Sequence, residues 1–81
     1  MKVVVTVSLK DGVLDPQGKA IEHALHGLGF GNVADVRAGK VISFFMDGVS
    51  AAEAEAEARE MARKLLANTV IERFDVEVSH E

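Results

Sequence analysis

The residues best suited to metal chemistry are two histidines that follow a glutamate. His23 and His26 are three positions apart and come directly after Glu22, a spacing that brings side chains together on one side of a helix. Such a pair could ligate zinc, but a zinc site needs further ligands, and none is placed beside them. Both histidines also fall opposite an apolar stripe of the same helix. We therefore predict no metal site and interpret these side chains as facing solvent or a partner.

Two aspartates in a loop are the next candidates for chemistry. Asp11 and Asp15 flank Gly12, and such a carboxylate pair could hold a proton or Mg²⁺. Asp15 precedes Pro16, however, and this order is typical of a helix N-cap followed by proline at the first helical position. No serine is accompanied by a histidine–carboxylate pattern. The glycines at 27, 29 and 31 end a helix rather than open one, which does not suit phosphate binding. We predict no catalytic residue on this chain.

The charge balance bears on what the chain can bind. Lys10, Arg37 and Lys40 could form a small basic spot, but 9 basic and 13 acidic side chains make the whole chain acidic. Net acidity, with four Phe and no Trp or Tyr, weighs against nucleic-acid binding. The absence of cysteine excludes disulfides and thiolate metal sites. The apolar runs are too short to span a membrane. We expect one domain over residues 1–81, located in the cytoplasm.

The elements that must position these residues follow from apolar spacing. Alternating residues predict four strands, over 2–9, 33–38, 41–46 and 69–79. Gly39-Lys40 suits a type II′ hairpin turn between the middle two strands. One helix begins at Pro16 and ends at Gly29, and another begins after Ser50 and stops near Asn68. The order βαββαβ predicts an α+β, ferredoxin-like two-layer sandwich, with an antiparallel sheet and two helices on one face.

Apolar stripes indicate which faces are covered. On the helices, the stripes predicted to face inward are Ile21, Ala24, Leu25 and Leu28, and then Ala54, Ala58, Met61, Ala62 and Leu65. Four further apolar residues are predicted on the sheet face away from the helices: Val4, Val41, Phe45 and Ile71. In a two-layer domain that face is exposed to solvent, where grouped apolar residues are unfavourable. We therefore expect these four residues to form an oligomer interface in which the sheet is shared or stacked.

One segment resembles a known family. The stretch LKDGVLDPQG at positions 9–18, supported by VRAGK at 36–40, is similar to the PurS family, the small subunit of three-component phosphoribosylformylglycinamidine (FGAM) synthase. The resemblance covers essentially the whole chain. It implies an adaptor without catalytic residues or a cofactor of its own, in a purine-biosynthesis complex that uses ATP, Mg²⁺ and glutamine.

The resemblance also implies partners. These are the synthetase PurL, the glutaminase PurQ and a second copy of the chain, as a homodimer or a dimer of dimers. We place partner contact on the first loop and the VRAGK segment, at Lys10, Asp11, Asp15, Gln17, Arg37 and Lys40. An alternative with the same element order is an ACT-like regulatory module that senses a small ligand near the first strand–helix loop. A thermal shift on adding amino acids would favour that alternative.

Overall fold

The structure is a computed structural model that describes residues 1–80, and it contains three strands and two α-helices. In chain order these are β1 (Lys2–Leu9), α1 (Pro16–Gly27), β2 (Gly39–Phe45), α2 (Ala51–Met61) with a π-helical turn (Ala62–Leu66), and β3 (Glu72–Ser79). The sheet is antiparallel in the order β2-β1-β3. The predicted α+β architecture is confirmed. No described helix is both long and apolar enough to cross a membrane.

The core lies between the central strand and α2. Val3, Val5 and Val7 alternate along β1 and are fully buried on the side that faces α2. That helix contributes only alanines to the core, namely Ala54 and Ala58, with Ala62 in the turn that follows. The small side chains allow the helix to approach the sheet closely. Around this centre pack half-buried apolar residues: Ile42, Phe44, Met46, Val49, Leu66, Phe74, Val76 and Val78.

The helix ends form as their sequences predict. Ser50 accepts a hydrogen bond from the Glu53 amide, and the Glu53 side chain accepts one from the Ser50 amide, both at 3.1 Å. This capping box begins α2. At the end of α1, Gly29 has a φ of 101°, and the Phe30 amide donates to the Leu25 carbonyl at 3.0 Å. These contacts are those of a Schellman turn.

The segment 33–38, predicted as a strand, pairs with no strand of the described chain, so that prediction was wrong. The Val36 amide donates instead to Glu22 in the middle of α1, and the Ala38 amide donates to Asp15 at the N-cap of that helix. Asp35 has a φ of 54°, which interrupts an extended backbone. Because the amides are already bound and the backbone is bent, this segment forms no ladder within its own chain.

The predicted hairpin turn at Gly39-Lys40 was also wrong, since both residues belong to β2. Gly39 lies opposite Ser8 on the neighbouring strand. A Cβ on Gly39 would lie 2.7 Å from the carbonyl oxygen of Val7, so glycine is needed here for close approach to β1 and not for a turn.

The inward stripe of the second helix is only partly as predicted. The Ala67 amide donates to the Ala62 carbonyl oxygen at 2.9 Å, a bond to the fifth preceding residue and not the fourth. The last turn is therefore π-helical and holds one residue more than an α-helical turn. The insertion rotates the later side chains, so that Leu65 is 83% exposed while Leu66 is half-buried. Met61 is exposed as well. The prediction that Met61 and Leu65 face inward was therefore wrong.

The first helix differs most from expectation. α2 packs on β3 and β1, whereas α1 packs on no other helix or strand to a comparable extent. Its stripe is therefore left largely uncovered, and Leu28 is 74% exposed. Among the α1 residues only Gly18 is buried. The prediction that this stripe faces inward was wrong within the single chain.

Candidate partner-binding site

Asp15 joins three parts of the predicted partner-binding region. The residue is 5% exposed, and its Oδ1 accepts a hydrogen bond of 2.9 Å from the Gly18 amide, as an N-cap does. The other oxygen, Oδ2, accepts a bond of 2.7 Å from the Ala38 amide. One carboxylate therefore ties the first loop and the start of α1 to the chain that enters β2.

These hydrogen bonds also set the ionisation of Asp15. The Gly18 amide, and then the Ala38 amide, hold the pKa of this carboxyl below its usual value, since both stabilise the charged form. The positive charge of Arg37 acts in the same direction, and desolvation opposes it. Asp15 is thus an anion with both oxygens in use, which suits a structural role better than contact with a partner.

Gly18 permits the close crossing of α1 over the chain that leads into β2. A Cβ at this position would overlap the carbonyl oxygen of Val36, and would lie 2.9 Å from its carbonyl carbon. The same atom would lie 3.0 Å from Asp15 Oδ2. Because the obstacle is backbone, it cannot move aside as a flexible side chain can. The glycine that ends the segment LKDGVLDPQG is therefore required by packing.

The remaining predicted partner-binding residues are exposed, and most lie close together. Arg37 Nη2 donates to the carbonyl oxygen of Lys10 at 3.0 Å, so these two residues are neighbours. Gln17 and Lys40 line one cavity of about 230 Å³, which also contacts Asp15. Asp11 is exposed in the turn of the first loop and does not line this cavity. Lys10 and Arg37 of the predicted basic spot are therefore neighbours, while Lys40 lines the cavity beside Asp15.

Two further residues hold α1 in place and were not predicted to do so. Glu22 Oε1 accepts a hydrogen bond of 3.4 Å from the Val36 amide, and His26 Nε2 lies 2.7 Å from the Val33 carbonyl oxygen. A carbonyl oxygen only accepts, so the Nε2 of His26 carries the proton in this bond. The expectation that His26 faces solvent or a partner was incomplete, because its ring contacts its own chain. Glu22 and His26 lie seven and eleven positions after Asp15, and these spacings place side chains on the same side of a helix. That spacing is the sequence signal from which their shared role could have been predicted.

The four residues proposed for the oligomer interface do not form one patch. The register places Val4, Val41 and Phe45 on the sheet face away from α2, along β1 and β2. Phe45 is 68% exposed there. Ile71 precedes β3 at the opposite end of the sheet, where its carbonyl oxygen accepts a hydrogen bond from the Lys10 amide. On the β3 side the same face carries charged residues, Arg73, Asp75 and Glu77.

Among residues 1–80, no three histidine, aspartate or glutamate side chains come together as metal ligands would.

Comparison with known proteins then decides the family. The family model described as "PurS: Phosphoribosylformylglycinamidine (FGAM) synthase" matches residues 2–80. This chain belongs to the PurS family. The match favours the subunit interpretation over the ACT-like alternative.

Similar PurS proteins extend the comparison. The phosphoribosylformylglycinamidine synthase subunit PurS of Bacillus subtilis (strain 168) is 49% identical over 77 residues, which are 95% of this chain and 90% of that protein. The subunit of Methanocaldococcus jannaschii is 43% identical, over 95% of this chain and 93% of that protein. A solved structure of B. subtilis PurS superimposes with a TM-score of 0.87 at 48% identity, and the match covers 98% of each chain.

A second solved structure shows a PurS-like chain within an assembly. The structure of PurLQS from Thermotoga maritima contains a chain that matches with a TM-score of 0.85 at 28% identity. The match covers 94% of this chain and 93% of that chain. Nearly the whole fold described above therefore has a counterpart in the PurLQS structure.

Proposed function

We propose that this chain is the non-catalytic adaptor subunit of an FGAM synthase and docks the glutaminase PurQ to the synthetase PurL. The observation that carries the proposal is the match of 94% of the chain to a chain of the T. maritima PurLQS structure. In that role the chain holds the two enzymes together by its shape and needs no reactive group of its own. The purine-biosynthesis complex, rather than this chain, uses ATP, Mg²⁺ and glutamine, and it operates in the cytoplasm.

A chemical reason favours such an adaptor. Ammonia released from glutamine is protonated or lost if it reaches bulk water, so the glutaminase and the synthetase have to be held together and the path between them shielded. An adaptor achieves this by raising the effective concentration of the two enzymes and by fixing their orientation. A rigid docking surface serves this purpose because little entropy is lost on binding.

The partner surface that we propose consists of the exposed residues around the first loop: Lys10, Asp11, Gln17, Arg37 and Lys40. Asp15, which belonged to the predicted set, supports this surface from within, since its carboxylate fixes the Ala38 backbone between Arg37 and Lys40. The Arg37–Lys10 hydrogen bond holds the loop against the same backbone. Three of the five residues are basic, which fits an acidic patch on the partner.

A second proposal concerns the sheet face away from α2. We propose that Val4, Val41 and Phe45 are covered by another copy of the chain, with Ile71 at the margin of that contact. Val41 and Phe45 are exposed on β2, and the half-buried Val4 lies on the same face of β1. This grouping supports the contact, since small monomeric proteins rarely expose grouped apolar residues without a partner.

Charge reversal tests the partner surface. The variant Arg37→Glu/Lys40→Glu is reconstituted with the synthetase and the glutaminase, and FGAM formation is measured with glutamine and, separately, with ammonium chloride. We expect glutamine-dependent synthesis at limiting subunit concentration to fall about tenfold or more, because two charges that match the partner are inverted. Ammonia-dependent synthesis by the synthetase should be unchanged, because it does not need the docked glutaminase.

The control variant, Arg63→Glu/Lys64→Glu, inverts the same number of charges in the turn after α2. It should assemble and support glutamine-dependent synthesis as the unmodified chain does. Circular dichroism checks that both variants are folded. If the Arg37→Glu/Lys40→Glu variant assembles normally, partner contact lies elsewhere on the chain. If the unmodified chain has no effect on glutamine-dependent synthesis, the adaptor function itself is wrong.

A further inference from the structure

Leu14 is a large apolar residue left uncovered in the first loop. It is 70% exposed, whereas its neighbour Val13 is half-buried and its neighbour Asp15 is buried. Leu14 directly precedes the N-cap of α1. An apolar residue at that position commonly packs against an apolar residue at the fourth helical position, as a hydrophobic staple. The fourth helical residue here is Lys19, an exposed cation, so Leu14 lacks the apolar partner that a staple supplies.

The backbone on both sides of Leu14 is fixed. Before it, the Lys10 carbonyl oxygen accepts a hydrogen bond of 3.1 Å from the Val13 amide, which closes a turn. After it, the Asp15 carboxylate accepts hydrogen bonds from two backbone amides. Pro16 follows, and its ring fixes the first backbone angle of the helix. A side chain carried by a fixed backbone requires little ordering when a partner covers it, so Leu14 is suited to binding.

Polar residues of the proposed partner surface flank Leu14. Lys10 opens the turn before it, and Arg37 Nη2 donates to the Lys10 carbonyl oxygen at 3.0 Å. Asp11 lies in the same turn, and Gln17 lies three residues after Leu14. In protein interfaces, polar residues around a central apolar contact exclude water from it. An isolated exposed leucine is ordinary on a protein surface, so the significance of Leu14 lies in its fixed backbone and its polar surroundings.

We propose that Leu14 is an apolar anchor of the partner surface and inserts into an apolar pocket, rimmed by carboxylates, on one of the two enzymes that this chain joins. The inference rests on the proposed adaptor function and adds to its surface a residue that carries no charge. An apolar pocket fits the leucine side chain, and acidic residues at its rim fit Lys10 and Arg37. A second copy of the chain is a poor occupant, because two such loops facing one another bring like charges together.

The variant Leu14→Ser tests the anchor in the complex reconstituted with the synthetase and the glutaminase. FGAM formation with glutamine is measured while the concentration of this chain is varied. We expect the concentration that gives half-maximal synthesis to rise about 10- to 100-fold, because burial of the leucine side chain is lost. The rate at saturating concentration should be unchanged, and so should synthesis with ammonium chloride, because Leu14 contributes to affinity and not to the reaction.

Leu65→Ser is the matched control. Leu65 is 83% exposed, but it lies in the turn after α2, outside the proposed surface. This variant should behave as the unmodified chain does, and so should Leu14→Met, which keeps an apolar side chain of similar volume. Circular dichroism checks that all three variants are folded. A normal half-maximal concentration for Leu14→Ser, an equal loss for Leu65→Ser, or an equal loss for Leu14→Met would each contradict the inference.

Two outcomes separate this inference from the proposed function. If Arg37→Glu/Lys40→Glu is impaired and Leu14→Ser is not, the partner surface stands and the anchor is wrong. If the unmodified chain has no effect on glutamine-dependent synthesis, the adaptor function is wrong and the anchor fails with it.

Photo-crosslinking identifies what covers Leu14. Benzoylphenylalanine in place of Leu14, in the reconstituted complex, should form adducts on one of the two enzymes, at a segment that contains aspartate or glutamate. The same probe in place of Leu65 should form none at that segment. Adducts on a second copy of this chain, or the absence of adducts on both enzymes, would show that Leu14 is not the anchor.

Discussion

Replacing Gly18 with alanine tests whether α1 crosses the chain before β2 as closely as described. In a helix interior, alanine is favoured over glycine by about 1 kcal/mol, so propensity alone predicts a more stable protein. The added Cβ, however, would overlap the Val36 carbonyl group and approach Asp15 Oδ2. Overpacking of this kind costs about 1–3 kcal/mol or somewhat more where backbone has to move. We expect Gly18→Ala to lower the free energy of unfolding by a net ~1–2 kcal/mol, roughly 5–15 °C in Tm.

Gly27 supplies the matched control, since it lies in the same helix and a Cβ there would meet nothing within 4 Å. Gly27→Ala should raise stability by up to about 1 kcal/mol. Thermal unfolding of both variants by circular dichroism, at one protein concentration because association shifts Tm, gives the comparison. If Gly18→Ala were as stable as Gly27→Ala, the close crossing at Val36 would be wrong.

Two further predictions concern the Asp15 carboxylate and the alanines in the core. The pKa of Asp15 is lower in the folded protein than in the unfolded chain, where it is near 4, so the ionised carboxylate stabilises the fold. This stabilisation is fully present above the unfolded-state pKa. It is lost as the pH falls through the folded-state pKa. The stability difference between the unmodified chain and Asp15→Asn should therefore narrow below pH 4 in urea titrations, and a constant difference from pH 6 to pH 3 would contradict this. Ala58→Leu should cost about 1–3 kcal/mol by overpacking, whereas Ala56→Leu on the exposed side of α2 should be nearly neutral in the same titrations. Equal effects would show that Ala58 does not face the sheet closely.

Local signals in the sequence predicted local structure well. The N-cap pair Asp15-Pro16, the Ser50–Glu53 capping box and the turn at Gly29 all involve residues within a few positions of each other, and all three are confirmed. The alternation of valines in β1 was equally clear, because one face of that strand is fully buried.

Predictions that depend on distant residues were less successful. The segment 33–38 has the composition of a strand, but its amides are bound by side chains at the N-cap of α1 and within that helix, up to 23 positions earlier. Nothing in the spacing of Met61 and Leu65 shows the extra residue that turns Leu65 outward. At the site, the proximity of Arg37 and Lys10 was predicted from the sequence and is observed. The burial of Asp15 could not be predicted, because it depends on how the loop and β2 pack around this residue.

The alanine seam between α2 and β1 limits how this protein can adapt to a partner. Alanine has no side-chain rotamers, and valine is restricted at χ1, so the contact of Ala54, Ala58 and Ala62 with the β1 valines has no alternative packing to adopt. The half of the molecule formed by β1 and α2 therefore enters an assembly as one rigid body, and a partner has to fit the shape that this half already has.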